Sequence, residues 1–109
     1  MKSEQLREYA LSLPETTEEP HFHYTSFRVN GKIFVTLPPE EKYAHIFVDD
    51  LQREMAVDLY PEFVEVLTWG KKIAGIRVLL SKAKPTVIRQ LVHSAWARKA
   101  PKSLVKSAV

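Results

Sequence analysis

The sequence predicts an α+β protein of two layers: an antiparallel five-stranded sheet with helices on one face, in the order α-βββ-α-ββ-α. Three observations carry this reading. Apolar residues recur at helical spacing near the start and in the last third, with short β-branched stretches between. Asn30-Gly31 joins two of those stretches, and Asn and Gly tolerate the positive φ angles of a two-residue type I′ turn. The strands fall into a group of three and a group of two, divided by a helical segment, which favours antiparallel pairing.

In chain order, Ser3 is suited to cap a first helix, with Glu4 and Glu8 toward its positive end. Leu6, Tyr9, Ala10 and Leu13 form its apolar face. Pro14 stops it, because a residue before proline is pushed out of the α region. Glu15 to Pro20 reads as an acidic loop. A first strand runs from about His21 to Val29 and a second from Lys32 to Leu37. A two-residue turn sets Val29 opposite Lys32, Phe27 opposite Phe34 and Thr25 opposite Thr36. Alternation does not assign the core face of this hairpin, because Ile33, Val35 and Leu37 lie on the other side, and a bulge would exchange the two.

Pro38 to Glu41 is a surface loop, and Ala44 to Val48 a third strand. Asp49-Asp50 caps a second helix, Leu51 to Leu59, whose buried side is expected to be Leu51, Met55 and Leu59. Phe63 to Trp69 is the fourth strand, Gly70-Lys71-Lys72 the turn, and Ile73 to Leu80 the fifth strand. Pro85 suits the first turn of a third helix that runs to about Lys99. Val87, Ile88, Leu91, Val92, Ala95 and Trp96 form its core stripe. Pro101 ends it, and the basic tail PKSLVKSAV is expected to fray.

At 109 residues the chain suits one domain, 1–109, with one core. It has no cysteine, which excludes disulfides, zinc-thiolate sites and thiol catalysis. No apolar run suits a signal peptide or a membrane span, so the expected location is the cytoplasm. The charge is strongly uneven. Up to Leu67 there are 13 acidic and 6 basic residues; from Thr68 onward there are 10 Lys or Arg and no Asp or Glu. Such asymmetry points to a polyanion or an acidic partner.

His21 and His23 sit at a spacing that puts both on one strand face, yet neither they nor His45 and His93 match a metal motif, so no metal or cofactor is expected. No acid, base and nucleophile converge in the sequence, and Asp49, Asp50, Glu54 and Asp58 are explained as a cap and a solvated helix face. An enzyme is therefore not expected. Double-stranded DNA is the leading expected partner. Arg28 and Lys32 flank one hairpin tip and Lys71 and Lys72 another; Arg77 lies on the last strand, and Lys82, Lys84, Arg89, Arg98, Lys99, Lys102 and Lys106 surround the last helix. Cationic hairpin tips reach phosphates as wings do. Trp69 is suited to stack on a base, although burial is the commoner role of tryptophan. The alternative is an interaction or homodimerisation module with no nucleic-acid role, favoured by the opposite charges of the two halves.

Leu11-Ser12-Leu13-Pro14-Glu15, the hairpin from Ser26 to Phe34, Trp69-Gly70, and Ser94-Ala95-Trp96 with Ala100-Pro101 together resemble the YjbR/MmcQ-like family over nearly the whole chain. The resemblance implies a small two-layer α+β fold of the secretion-chaperone or frataxin-like type. It also implies a double-wing arrangement of the kind labelled DNA-binding, with no catalytic residues to carry over.

Overall fold

The computed structural model describes residues 1–107. One antiparallel sheet of six strands runs in the spatial order β1-β2-β3-β4-β6-β5. Its strands are β1 (Thr16–His21), β2 (Tyr24–Val29), β3 (Lys32–Leu37), β4 (Tyr43–Ile46), β5 (Val64–Trp69) and β6 (Lys72–Leu79). The helices are α1 (Ser3–Ser12), α2 (Asp50–Leu59), α3 (Pro85–Lys99) and a short α4 (Lys102–Ser107). The α+β class and the helix-covered sheet agree with the sequence.

The sixth strand is the difference. The segment expected to be an acidic loop is β1, paired with β2 from Thr16↔Val29 to His21↔Tyr24. Thr17 to Pro20 are exposed, so no apolar alternation announces a strand. An edge strand tolerates this composition, proline included, because one row of its backbone groups faces water. The expected first strand is therefore broken at Phe22-His23, a tight turn with Phe22 at φ 58°. His23 lies in that turn, so it does not share a strand face with His21.

Asn30 and Gly31 both take positive φ, 52° and 75°, as a type I′ turn requires. Val29 faces Lys32 as expected, but a bulge then makes Phe34 the extra residue. Phe27 faces Val35, Ser26 faces Thr36 and Thr25 faces Leu37, not the partners expected from an unbroken ladder. Both phenylalanines are fully buried. The bulge also decides which face is covered: Phe27, Val35 and Leu37 turn toward the helices, and Ser26, Arg28 and Thr36 turn away.

On β4, Ile46 pairs with Ile76 of β6, and Val78 of β6 pairs with Val64 of β5. These residues continue the covered face into one core with Leu6 and Ala10 of α1 and the predicted stripe of α3, all of it buried. Trp96 closes the α1–α3 junction by donating its indole N–H to Pro14 O at 3.1 Å. Gly75 sits where β4 presses on β6. A Cβ there would meet Ile46 O at 2.5 Å, closer than real contacts allow.

Asp49 caps α2 as expected, accepting the Gln52 N–H at 2.8 Å. The buried side is not Leu51, Met55 and Leu59, which are exposed at 64%, 48% and 59%. Ala56 goes in instead, with Val57 beside it. Helical spacing marks a stripe but does not say which way it faces, and the small Ala56 lets the helix approach β5 and β6 closely. The tail expected to fray forms α4, with Leu104 and Val105 packed against the core; Ala108 and Val109 lie outside the described residues. No helix among the described residues is long and apolar enough to cross a membrane.

Candidate nucleic-acid interface

The strand registers decide which cations meet. Val29↔Lys32 and Trp69↔Lys72 are the last pairs before the β2–β3 and β5–β6 turns. Between these hairpins, Val35↔Ile46 and Ile46↔Ile76 fix the direction of β4. Both tips therefore project from the same end of the sheet. The C-terminus of α3 arrives there as well, because Arg98 Nη1 donates to Phe47 O at 3.2 Å and Val48 O at 3.1 Å, just beyond β4. Burial pushes the Lys99 ammonium below its usual pKa, and the charges of Arg98 and Lys32 add to the effect. Lys32, Lys71, Lys72, Arg98 and Lys99 thus share one end. Asp49 and Asp50, which follow Val48 in the chain, are engaged in the α2 cap and with Arg53 at 2.6 Å.

The other sequence candidates lie elsewhere. Arg28 turns back along the sheet toward β1, donating to Ser26 Oγ at 3.0 Å and Pro20 O at 3.3 Å, with Glu19 at 3.9 Å. Arg77 lies in mid-sheet. Its Nη1 donates to Glu65 Oε1 at 2.8 Å, and its guanidinium lies 3.6 Å from the Tyr43 ring centre. Lys82 and Lys84 follow the far end of β6, whose eight residues put them roughly 24 Å from the basic tips. Arg89 is on the helix layer, where its charge opposes the effect of burial on Tyr9. Lys102 and Lys106 lie on α4.

Trp69 is half-exposed, at 49%, and packs edge-on against Phe47 with ring centres 5.4 Å apart. It is therefore not the buried core residue that tryptophan more commonly is. It borders the basic end on one side and a cleft of about 530 Å³ on the other.

That cleft was not visible in the sequence. On the helix-free face, Glu19, Ser26, Thr36, His45, Arg77 and Glu65 are successive cross-strand partners, one from each of the six strands. The row crosses the sheet along its hydrogen-bonding direction. His45, Arg77 and Glu65 line the cleft with Tyr24, Tyr43 and Trp69. His45 is 6% exposed, and its ring meets Tyr24 edge-on at 5.7 Å. Burial lowers its pKa and the Arg77 charge lowers it further, so the imidazole is held neutral. Thr36 Oγ1 and His45 Nδ1 are buried with no hydrogen-bond partner among the described residues. Each row residue sits on a different strand, and only the register brings them together. The signal within reach of the sequence was the alternation Tyr43-x-His45 and Glu65-x-Leu67 on two strands.

A family model described as YjbR matches residues 11–98. The crystal structure of Deinococcus radiodurans protein DR2400, with a family-model domain DUF419, superimposes with a TM-score of 0.76 at 16% identity. The match covers 98% of this chain and 87% of that one, so the two share a fold. No curated protein matches the chain.

Proposed function

The chain belongs to the YjbR family, and from the charge at one end of its sheet we propose that it binds double-stranded DNA without catalysing a reaction. The observation that carries this is the convergence of two hairpin tips and the C-terminus of α3, which together present Lys32, Lys71, Lys72, Arg98 and Lys99. The like charges of Lys32, Arg98 and Lys99 disfavour one another, and a phosphate relieves that repulsion. The tips act as wings on the backbone, and half-exposed Trp69 stands beside them. Part of the charge at the end of α3 serves the helix itself, since cations there complement its dipole.

Fluorescence anisotropy with a labelled duplex across a salt series tests the reading. Neutralising ~4 phosphates gives a slope of log K against log salt of about −3.6. Absence of binding at low salt overturns it. A second reading, self-association with no nucleic-acid role, is favoured by the exposed stripe Leu51, Met55 and Leu59 on α2. Light scattering over a concentration series separates the two: a dimer dispersed by a charge on that stripe supports the second.

A further inference from the structure

The cleft on the helix-free face lies outside the basic end, and duplex binding makes no use of it. Its size, about 530 Å³, falls in the range of small-molecule sites. Its walls are aromatic: Tyr24, Tyr43 and the exposed part of Trp69. Its central polar groups, Arg77, Glu65 and His45, are cross-strand neighbours on three strands. Arg77 is held between the Tyr43 ring and Glu65, which fixes its guanidinium and leaves most of its five donors free. Glu65 gives one carboxylate oxygen to Arg77 and is an acceptor beside it.

His45 adds a third polar group. Neither ring nitrogen has a hydrogen-bond partner among the described residues, and Nδ1 is buried. A buried unpaired N–H is costlier than a buried lone pair, since acceptors are the groups more often left unpaired. The proton of the neutral ring therefore belongs on Nε2, which makes His45 a donor toward the cleft. Charge is close to balanced there, with Arg77 and Lys42 set against Glu40 and Glu65. A strongly anionic ligand has no net attraction to this site.

We infer that the cleft binds an uncharged planar heteroaromatic ring of the keto-purine class, stacked against its aromatic walls. Arg77 and His45 donate to the ring carbonyl, and Glu65 accepts from the adjacent ring N–H. This edge of donors beside a carboxylate is complementary to a 6-keto purine and opposed to a 6-amino purine. The latter offers an N–H₂ where the site has donors, and a bare ring nitrogen where it has an acceptor.

Inosine and adenosine differ at that edge alone, and both serve as probes. In an NMR titration of the intact protein, inosine is expected to shift the Trp69 indole N–H and the amides of β4, β5 and β6, saturating in the millimolar range. Adenosine is expected to bind at least ~10-fold more weakly, because a site built to hydrogen-bond a group discriminates against its absence. Glu65→Ala, at an exposed position, should erase the preference with the melting temperature unchanged, and His45→Phe should weaken inosine while keeping the ring volume. Equal binding of the two nucleosides overturns the inference, as does no shift at about 10 mM inosine, tenfold above a ~1 mM Kd. The base could be free or part of a strand, and a thymine pentamer with one central inosine distinguishes these. Tighter binding of the pentamer than of inosine, lost in Lys71→Glu/Lys72→Glu, assigns the site to an unstacked base of a strand; equal binding assigns it to free nucleoside. Duplex binding and inosine binding are read separately, so either can fail alone.

Discussion

Thr36 and His45 lie opposite one another on β3 and β4, and each holds a buried polar atom, Oγ1 of one and Nδ1 of the other, with no hydrogen-bond partner among the described residues. Leaving such a group unpaired costs about 1–3 kcal/mol. Replacing Thr36 by Val removes the orphaned hydroxyl and keeps the branched shape. Urea denaturation of Thr36→Val should therefore show stability unchanged or raised by up to about 1 kcal/mol. A loss of more than that would mean that the hydroxyl has a partner in solution.

His45 makes stability depend on pH. Its pKa in the folded protein lies below the unfolded value of 6.5, through burial and then through Arg77. The groups around it are Arg77 from β6, Tyr24 from β2 and Thr36 from β3, with Glu65 of β5 beyond Arg77. Below the unfolded pKa the unfolded chain takes up a proton that the folded chain refuses. Stability is then complete above pH ~6.5 and falls as the pH drops toward the folded pKa. Thermal melting between about pH 7.5 and pH 5.5 should show this decline, and His45→Gln should flatten it.

Gly75→Ala tests the contact between β4 and β6. The added methyl meets the backbone carbonyl of Ile46, which no side-chain rotation relieves. Overpacking of this kind costs about 1–3 kcal/mol, read as a lower urea midpoint. Gly31 has open space around it, but its φ of 75° still favours glycine.

If the basic end binds DNA as proposed, its cations should separate from those elsewhere. Lys71→Glu with Lys72→Glu should weaken duplexes of unrelated sequence alike and make the salt slope shallower by about 1.8, two phosphates' worth. Lys82→Glu with Lys84→Glu, at the opposite end, should leave both unchanged. If the second pair matters as much as the first, binding is diffuse and the two-tip surface is wrong.

The apolar stripe of α2 gives a further outcome. Met55→Glu and Leu59→Glu replace exposed side chains and should shift stability by no more than about 0.5 kcal/mol. If they dissociate a dimer seen by light scattering, the second reading gains; if the protein is monomeric throughout, the stripe has no self-partner.

What the sequence disclosed depended on the range of the signal. The stripe of α3, the Asn30-Gly31 turn and the cap at Asp49 were legible because a few neighbouring residues decide them. β1 was not, because an exposed edge strand needs no apolar alternation. The partner of Phe27 was not, because one bulged residue resets a register. The buried side of α2 was not, because helical spacing marks the stripe Leu51, Met55 and Leu59 without saying which way it faces, and the residue that goes in is the small Ala56. Of the cations named from charge alone, five converge and Arg28 and Arg77 are taken up by Glu19, Ser26 and Glu65. The polar row across the sheet joins residues up to 58 positions apart, from Glu19 to Arg77, and only strand order brings them into line.

Two bulges, at Phe34 and at Ala74, sit just inside the two basic tips. A bulge is an insertion of one residue that a sheet has already absorbed. Beyond it, the facing of each tip is independent of the alternation that fills the core. Either tip can thus change length or charge without disturbing the pairing of Val35, Ile46 and Ile76. The architecture separates the residues that hold the sheet together from those that form its tips.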